Sequence, residues 1–419
     1  MLKIAAGLRD DPDRVIFSAS HRRCEPPKIG ASVNGSECLT LFRRLFSCAI
    51  VMVAGCGSDA SELQLSPVLA TPADVELGAF PVLAIVPLVP LTPIGIPTFD
   101  GSGQAVHPDV VRFAAPWHGW EYWLAFTPYP KSNEAMENPS LAVSHDGLRW
   151  EVPGEFGNPM IPTPKSGYNS DPDLSYDAQA DRLVMIFREV SGGQNIIKAI
   201  SSGDGRAWTL PKVVFRRRSH GIVSPTIAAR PGAAPAVWYV DAGNRKCRER
   251  VTRVMMQDGP GMNALEQARP ETGWGTPREV VMLQPGFSVW HLDVTWVPER
   301  NEYWAIYPAN RSYSCNGRDL FFARSSDGIN WITYRVPVLR RNDADWVRGS
   351  LYRGSLLYDA SRDAIRIYLS ASAPGSIWHL GVVEYRFKDF LAALERSPGA
   401  ASQATPLPVR SIDDARMDP

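Results

Sequence analysis

The sequence predicts an all-β protein whose main domain is a five-bladed β-propeller of four-stranded blades. Three observations predict it: strand-like runs rich in Val, Ile, Tyr and Trp, turns of Gly, Asn, Asp and Pro between them, and two repeat series with a common period. We expect the propeller to span residues 105–387 of the 419. A linear solenoid can share such a period, but it needs capping repeats, and none is obvious in this sequence.

The first repeat series is a turn with the pattern Ser-x-Asp-Gly-x-x-Trp. It occurs at residues 144–150, 202–208 and 325–331, and a weaker copy ends at Trp274. The four tryptophans are 58, 66 and 57 residues apart. In each turn the Asp is expected to cap backbone amides, the Gly to take a positive φ and the Trp to pack between sheets. These turns resemble the Asp-boxes of sialidase and glycosidase propellers, so we expect their role to be structural.

The second repeat series is a pair of residues, mostly polar and two positions apart, at the start of five strand-like runs. Their second members are 64, 53, 67 and 62 residues apart, in phase with the turns. Residues two apart on a strand share a side, and the first strand of each blade lines the central channel, so two stacked rings are expected. The first ring holds His107, Asp171, Ser224, His291 and Arg353. The second ring holds Asp109, Asp173, Thr226, Asp293 and Ser355.

Three aspartates of the second ring, Asp109, Asp173 and Asp293, are the candidate catalytic residues. Polar groups near the axis are costly unless they bind something or pair with one another. Crowded carboxyls have pKa values that are pushed apart, as the acid and base of glycoside hydrolysis require. Further acidic candidates for the general acid are Glu137 and Glu189. The alternative is that the aspartates cap strands or pair with arginines.

Several polar and aromatic residues near the strand starts are candidates for substrate binding. Trp290 precedes a ring residue and Tyr129 lies in a Pro-bounded loop, where an aromatic face could stack on a sugar; the alternative is that such rings fill the space between blades. The full set is His107, Asp171, His291, Arg353, Ser355, Arg188, Trp290 and Tyr129. No metal or cofactor is assigned, because the histidines form no tight ligand pair. The sequence allows an axial ion, calcium or a transition metal, between His107, Asp109 and Asp293.

The repeat period, the strand starts of the type Asp-Pro-x-hydrophobic and the turns together carry a family resemblance. Residues 105–387 resemble the arabinanase, β-xylosidase and fructosidase superfamily of five-bladed propeller glycosidases. The resemblance implies a glycoside hydrolase acting on poly- or oligosaccharide, with Asp109 as base or nucleophile and Asp171 or Asp173 as modulator. The chain departs from the pattern at His107, where an Asp is usual, and in its third blade, which has no acidic residue there. A non-catalytic carbohydrate-binding or assembly propeller is the alternative, and a scaffold for protein partners would need an exposed apolar patch.

Residues 1–55 are interpreted as an export signal. Two arginines precede an apolar run over residues 45–54, and the Val-Ala-Gly-Cys sequence that ends at Cys56 resembles a lipobox. We therefore expect a lipid on Cys56 and a membrane-anchored protein in the periplasm or at the cell surface. Residues 1–38 lack signal character, which indicates an over-extended N-terminus and a true start near Val33. A short buried helix is the alternative.

The remaining segments flank the propeller. Residues 56–104 are predicted to be a tether followed by a Pro-rich extended segment, and residues 388–419 a short helix and a disordered tail. The formal net charge is zero, with 44 Lys and Arg against 44 Asp and Glu, which argues against a nucleic-acid-binding protein. Removal of the signal would leave Cys247 and Cys315, either as a disulfide or as two free thiols.

Overall fold

The computed structural model describes residues 83–243, 252–265, 273–283, 286–311, 315–396 and 402–403. Five antiparallel sheets form a five-bladed β-propeller, so the predicted fold class is confirmed. No helix within these residues is long and apolar enough to cross a membrane. The predicted signal, the lipobox with Cys56 and the thiol of Cys247 lie outside the described residues, whereas Cys315 is disulfide-bonded.

The strands follow the chain from blade to blade. The first strand, β1 (Val89–Ile94), belongs to the last blade. Blade one holds β2 (Ala105–Trp117), β3 (Trp120–Pro128) and β4 (Ser140–Ser144). Blade two holds β5 (Tyr168–Asp177), β6 (Arg182–Ser191), β7 (Gln194–Ser202) and β8 (Lys212–Arg218). Blade three holds β9 (Val223–Ala228), β10 (Ala236–Asp241), β11 (Arg253–Asp258) and β12 (Arg278–Val280).

Blades four and five complete the circle. Blade four holds β13 (Ser288–Val289), β14 (Asp293–Val297), β15 (Glu302–Asn310), β16 (Asp319–Ser325), β17 (Ile332–Thr333), β18 (Leu339–Arg340) and β22 (Ser402–Gln403). Blade five holds β19 (Ser350–Asp359), β20 (Ala364–Ala373) and β21 (Ile377–Arg386). The helix α1 (Phe387–Glu395) follows. Single 3₁₀ turns lie at Pro130–Ser132, Glu134–Met136, Met262–Ala264, Pro298–Arg300 and Asp345–Val347.

The ring of blades is closed by the N-terminal strand. β1 pairs antiparallel with β21, with Ile94 opposite Leu380, and so becomes the outer strand of blade five. Its prolines lack an N–H donor, which an edge strand tolerates. Blade one has three strands, and an isolated bridge between Val143 and Glu151 stands at its outer edge. The chain therefore begins and ends its circle in the same sheet, which joins the first described segment to the last blade.

The Ser-x-Asp-Gly-x-x-Trp turns dock neighbouring blades. In the third turn, Asp327 Oδ1 accepts hydrogen bonds from the amides of Ile329 and Asn330 at 2.8 and 2.7 Å. Gly328 has a φ of +76°, and a Cβ added there would lie 2.6 Å from the ring of Trp238 on blade three. The indole Nε1 of Trp238 also donates to the carbonyl of Gly328 at 3.0 Å. Only glycine fits this close approach, so the turn holds two blades together.

Candidate functional site

Three of the five inner strands contain an unusual backbone residue near their start. His107, Asp171 and Ser224 occupy equivalent positions in β2, β5 and β9 and have φ values of 56°, 50° and 48°. Strand pairing slips at the same points, between Val106 and Asp109 in β2 and between Ser170 and Asp173 in β5. A left-handed backbone at a residue other than Gly costs about 1–3 kcal/mol and is concentrated at functional sites. The strain is stored where side chains of different blades meet at the axis.

His107, Asp171 and His291, from three different blades, form a cluster that we name the His–Asp–His cluster. Nε2 of His107 lies 3.3 Å from Oδ1 of Asp171, and Nδ1 of His291 lies 3.1 Å from the same oxygen. One nitrogen or oxygen from each residue lies within 4.8 Å of the others. The three side chains are almost fully shielded, with exposures of 1%, 0% and 1%. Ligand-type atoms that converge in this way could hold a metal ion.

The hydrogen-bond partners of the cluster fit a metal ion. Among the described residues, His107 Nε2, Asp171 Oδ1 and both ring nitrogens of His291 have no hydrogen-bond partner of acceptable geometry, although they are buried. The outward atoms are engaged: His107 Nδ1 lies 2.9 Å from Thr127 Oγ1, and Asp171 Oδ2 contacts Arg188 Nε at 3.2 Å. Ligand atoms around a tetrahedral zinc ion are about 3.3 Å apart, close to the separations seen here. Outer-shell partners of this kind orient metal ligands.

The protonation states of the cluster suit a cation. Burial lowers the pKa of both His107 and His291, so both imidazoles are neutral and offer lone pairs. Burial alone would raise the pKa of Asp171, but the positive charge of Arg188, which is the largest opposing effect, holds it well below its usual range. Two neutral histidines and one carboxylate are a ligand set typical of zinc and other divalent transition metals.

Glu137 is a second carboxyl beside the cluster. It follows the 3₁₀ turn Glu134–Met136, and its Oε2 lies 3.7 Å from Nδ1 of His107. Oε2 is buried and has no hydrogen-bond partner among the described residues. Burial, with the charge of Asp171 adding to it, raises the pKa of Glu137 well above its ordinary value. A carboxyl of this kind can carry a proton near neutral pH.

The carboxylates of Asp109, Asp173 and Asp293 form a separate group, the acid ring, with oxygens within 4.8 Å of one another. Asp109 accepts a hydrogen bond from the amide of Leu174 on blade two, and Asp173 accepts one at 2.9 Å from the amide of Ile227 on blade three. Ser355 on blade five donates to Asp109 at 3.0 Å. These contacts tie blade one to blades two and five and blade two to blade three, so they favour a structural role for the acid ring. A catalytic role for its aspartates stays a prediction.

Arg353 supplies the positive charge of the acid ring. Its Nη2 lies 2.8 Å from Asp173 Oδ1 and 3.8 Å from Asp293 Oδ1. Burial raises the pKa values of all three aspartates, that of Asp173 to about 7, and the charge of Asp109 raises those of Asp173 and Asp293 further. Arg353 opposes this by lowering each of them. The axis thus carries a buried ionic network. Its three aspartates come two residues after the members of the His–Asp–His cluster on the same three blades.

A cavity of about 880 Å³ opens at the carboxyl-terminal ends of the inner strands. The acid ring lines it, together with Ser355 and residues further along all five inner strands. The His–Asp–His cluster is not among its lining residues. This large opening therefore lies on the side of the acid ring. The His–Asp–His cluster is nevertheless the better candidate for a catalytic site, because its buried atoms lack hydrogen-bond partners among the described residues.

The other residues predicted from the sequence lie around these two groups. Glu189 is ion-paired with Lys198 at 2.5 Å and takes no part in either group. Trp290 is half-buried against the ring of His220, with centroids 5.5 Å apart. Tyr129 packs on Tyr352 and Trp378. Three residues at the cluster were not predicted from the sequence: Tyr352, whose ring covers the cluster, and Thr127 and Ser170, whose hydroxyls contact the outward atoms of His107 and Asp171.

The one signal in the sequence for Tyr352 is its place beside the ring residue Arg353. An aromatic residue next to a polar strand start is common in β-proteins, so this signal is weak. Thr127 and Ser170 are small hydroxyl residues without any distinguishing pattern.

No known protein family matches the sequence. An A type blood N-acetyl-α-D-galactosamine deacetylase from Flavonifractor plautii is 26% identical over 369 residues, which cover 72% of this chain and 47% of that protein. The chain thus spans about half the length of this relative.

Two solved structures illustrate the likeness in fold. An N-acetylgalactosamine deacetylase from F. plautii, in complex with blood group B trisaccharide, matches with a TM-score of 0.64 and 22% identity over 72% of this chain and 96% of that one. An α-L-arabinanase from Penicillium chrysogenum, complexed with arabinobiose, matches with a TM-score of 0.45 and 12% identity over 73% of this chain and 99% of that one. The five sheets described above form the five-bladed propeller that the resemblance to the glycosidase superfamily implied.

Proposed function

We propose that this protein is a metal-dependent deacetylase that hydrolyses the N-acetyl group of an amino sugar in a glycan. The observation that carries the proposal is the His–Asp–His cluster, in which buried ligand atoms from three blades face one point without hydrogen-bonding one another. The relative and the solved structure named above, both described as deacetylases of N-acetylgalactosamine, support the same reaction class.

The cluster residues would hold a divalent ion through Nε2 of His107, Oδ1 of Asp171 and a ring nitrogen of His291. When bound, such an ion polarises a carbonyl oxygen and makes a water molecule more acidic. Arg188 and Ser170 keep Asp171 in place by binding its other oxygen at 3.2 and 3.0 Å. This bracing leaves one oxygen of Asp171 free to face the histidines.

Glu137 is the residue that we assign to proton transfer. Hydrolysis of an amide consumes one water and releases acetate and an amine, so a proton must leave the water and reach the departing nitrogen. Glu137 is buried beside His107, and a carboxyl with a raised pKa holds a proton more readily than an ordinary one, as a group that takes up and returns a proton must. Tyr129 and Trp290 are proposed to contact the sugar ring. Both are half-buried: Tyr129 stacks on Tyr352, and Trp290 precedes His291 in the sequence.

Glycoside hydrolysis is the second candidate, and one observation favours it. Glu137 and Asp171 lie against opposite ring nitrogens of His107, and their pKa values are shifted in opposite directions. A protonated and an ionised carboxyl in one pocket are the pair that glycosidases use. In that reaction Glu137 would be the acid and Asp171 the base.

One experiment separates the two reactions. Purified protein is incubated with glycans that end in N-acetylgalactosamine or N-acetylglucosamine, and free acetate and new reducing ends are measured side by side. The proposal expects acetate without new reducing ends, loss of acetate release in Asp171→Asn, and loss with a chelator that zinc or cobalt reverses. New reducing ends without acetate would instead support the glycosidase. Neither product from a broad glycan panel would leave a binding function.

We also propose that the protein acts outside the cytoplasm, anchored by a lipid on Cys56. The support is the lipobox-like sequence after an apolar run. Metabolic labelling with a fatty acid, followed by membrane fractionation, tests this. Cys56→Ser should abolish label and membrane association, whereas Cys48→Ala, a change within the apolar run, should retain both.

A further inference from the structure

We infer that Tyr352 is a movable cover over the His–Asp–His cluster, which opens to admit a ligand and closes to exclude water. That a substrate uses this site rests on the proposed function, whereas the covering of the cluster by Tyr352 does not depend on it.

The ring of Tyr352 lies directly on the two histidines of the cluster. Its centroid is 3.9 Å from that of His291 and 5.3 Å from that of His107. The cluster residues are no more than 1% exposed, whereas Tyr352 is only half-buried. The ring therefore covers the two imidazoles, while the residue as a whole keeps part of its surface exposed. A ligand has to displace a side chain to arrive at the buried atoms, and Tyr352 touches both imidazoles.

The ring is held by packing alone. Among the described residues, the hydroxyl of Tyr352 has no hydrogen-bond partner. Its neighbours are fixed more firmly: Trp378 Nε1 donates to Ser132 Oγ at 2.8 Å, and Arg188 donates to the hydroxyl of Tyr168 at 3.2 Å. A rotation of the Tyr352 side chain would thus break ring contacts but no hydrogen bond, as a gate requires.

The surroundings of Tyr352 suit such a rotation. The pairing of β19 slips between Leu351 and Gly354, so Tyr352 lies in a β-bulge rather than in a regular ladder. Next to it, Tyr129 lies parallel at 6.3 Å with an interplanar angle of 11°, and Trp378 lies at 5.1 Å. These two rings line the outer side of the cover and remain in place when it turns. They would then border the opened site.

The test measures access to the histidines in metal-free protein. Diethyl pyrocarbonate modifies neutral imidazoles, and peptide mapping by mass spectrometry gives the rate at His107 and at His291. Tyr352→Ala should be modified at least about tenfold faster than wild type at both positions, because the cover is gone. Tyr352→Phe should match wild type, since the ring and not the hydroxyl covers the site. Tyr358→Ala, on the same strand but lining the opposite cavity, is the matched control.

Equal rates in wild type and Tyr352→Ala, with both proteins folded by circular dichroism, would overturn the inference. If the alanine variant does not fold, Tyr352→Val, which suits a strand, replaces it. Cobalt binding, followed by its absorption spectrum, is measured in parallel. Absence of cobalt binding in wild type, together with faster modification of Tyr352→Ala, would defeat the proposed function and leave the cover standing. Cobalt binding with equal modification rates would do the reverse.

Discussion

Arg353 of β19 donates a hydrogen bond to Asp173 of β5 at 2.8 Å, although these residues are 180 positions apart in the chain. Arg353 has no exposed surface. Two of its nitrogens, Nε and Nη1, have no hydrogen-bond partner among the described residues, and the nearest balancing charges are those of the acid ring, with Asp171 adding to them. The pair therefore joins blade five to blade two at the axis, and its energy should appear in the stability of the whole propeller.

Arg353→Met should lower the free energy of unfolding by about 3–5 kcal/mol, because removing one partner leaves buried carboxylates without a cation. Urea unfolding followed by tryptophan fluorescence measures this. The double variant with Asp173→Asn should recover part of the loss, since one of the unpaired acids is then gone. Arg348→Met, which removes an exposed ion pair with Asp345, is the control and should cost less than about 1 kcal/mol. A comparable loss in both variants would contradict a stabilising network at the axis.

Acid should remove the stabilisation that the Ser-x-Asp-Gly-x-x-Trp turns provide. Turn amides hold the pKa of Asp204 below its usual value, and they do so at Asp146 and Asp327 against an opposing effect of burial. A depressed pKa in the folded state gives stability above the unfolded pKa of about 4, and the stability is lost as the pH falls through the folded value. The triple Asp→Asn variant should thus melt below wild type at neutral pH, with a gap that narrows below about pH 4.

Differential scanning calorimetry from neutral to acidic pH measures that gap. Asp100→Asn, a change in an exposed loop, is the control. A gap that stays constant across the range would mean that the charge of the turn carboxylates contributes nothing to folding.

The sequence predicts the blades well because each blade repeats the same local chemistry. A turn needs a capping Asp and a Gly of positive φ wherever it occurs, and the inner strands need polar starts in the same phase. The two polar groups at the axis also follow from strand alternation. The sequence does not show which of these polar residues meet, because the bulges at His107 and Asp171 and the circular arrangement of the blades decide their contacts. The sequence allows an ion site between His107, Asp109 and Asp293, whereas the structure brings His107 to Asp171 and His291.

The two glutamates illustrate the same limit. Glu137 and Glu189 were equal candidates on sequence grounds. Adjacent residues of a strand point to opposite faces, so Arg188 reaches Asp171 while Glu189 turns to Lys198. Glu137 reaches His107 through a loop of two 3₁₀ turns, and the path of such a loop is set by packing rather than by any local pattern.

Glu137→Gln should reduce acetate release by about 10²- to 10⁴-fold, because glutamine keeps the shape of the side chain but cannot transfer the proton. Cobalt binding should remain, since Glu137 is not a ligand in the proposed centre. The matched control is Glu134→Gln, an exposed residue of the same loop, which should retain wild-type turnover. Full activity of Glu137→Gln would transfer the proton-carrying role to another group.

The metal centre itself gives the most direct prediction. Wild-type protein that has been incubated with zinc and then desalted should contain about one ion per chain by elemental mass spectrometry, because three protein ligands suit a catalytic zinc site. His291→Ala and Asp171→Asn should each lose the ion, since two remaining ligands hold a divalent metal poorly. His145→Ala is the control and should bind zinc like wild type. It removes an exposed histidine whose ring stacks on Trp120 and not on a residue of the cluster. If all four proteins retain the same amount of zinc, the ion sits elsewhere and the His–Asp–His cluster is not its site.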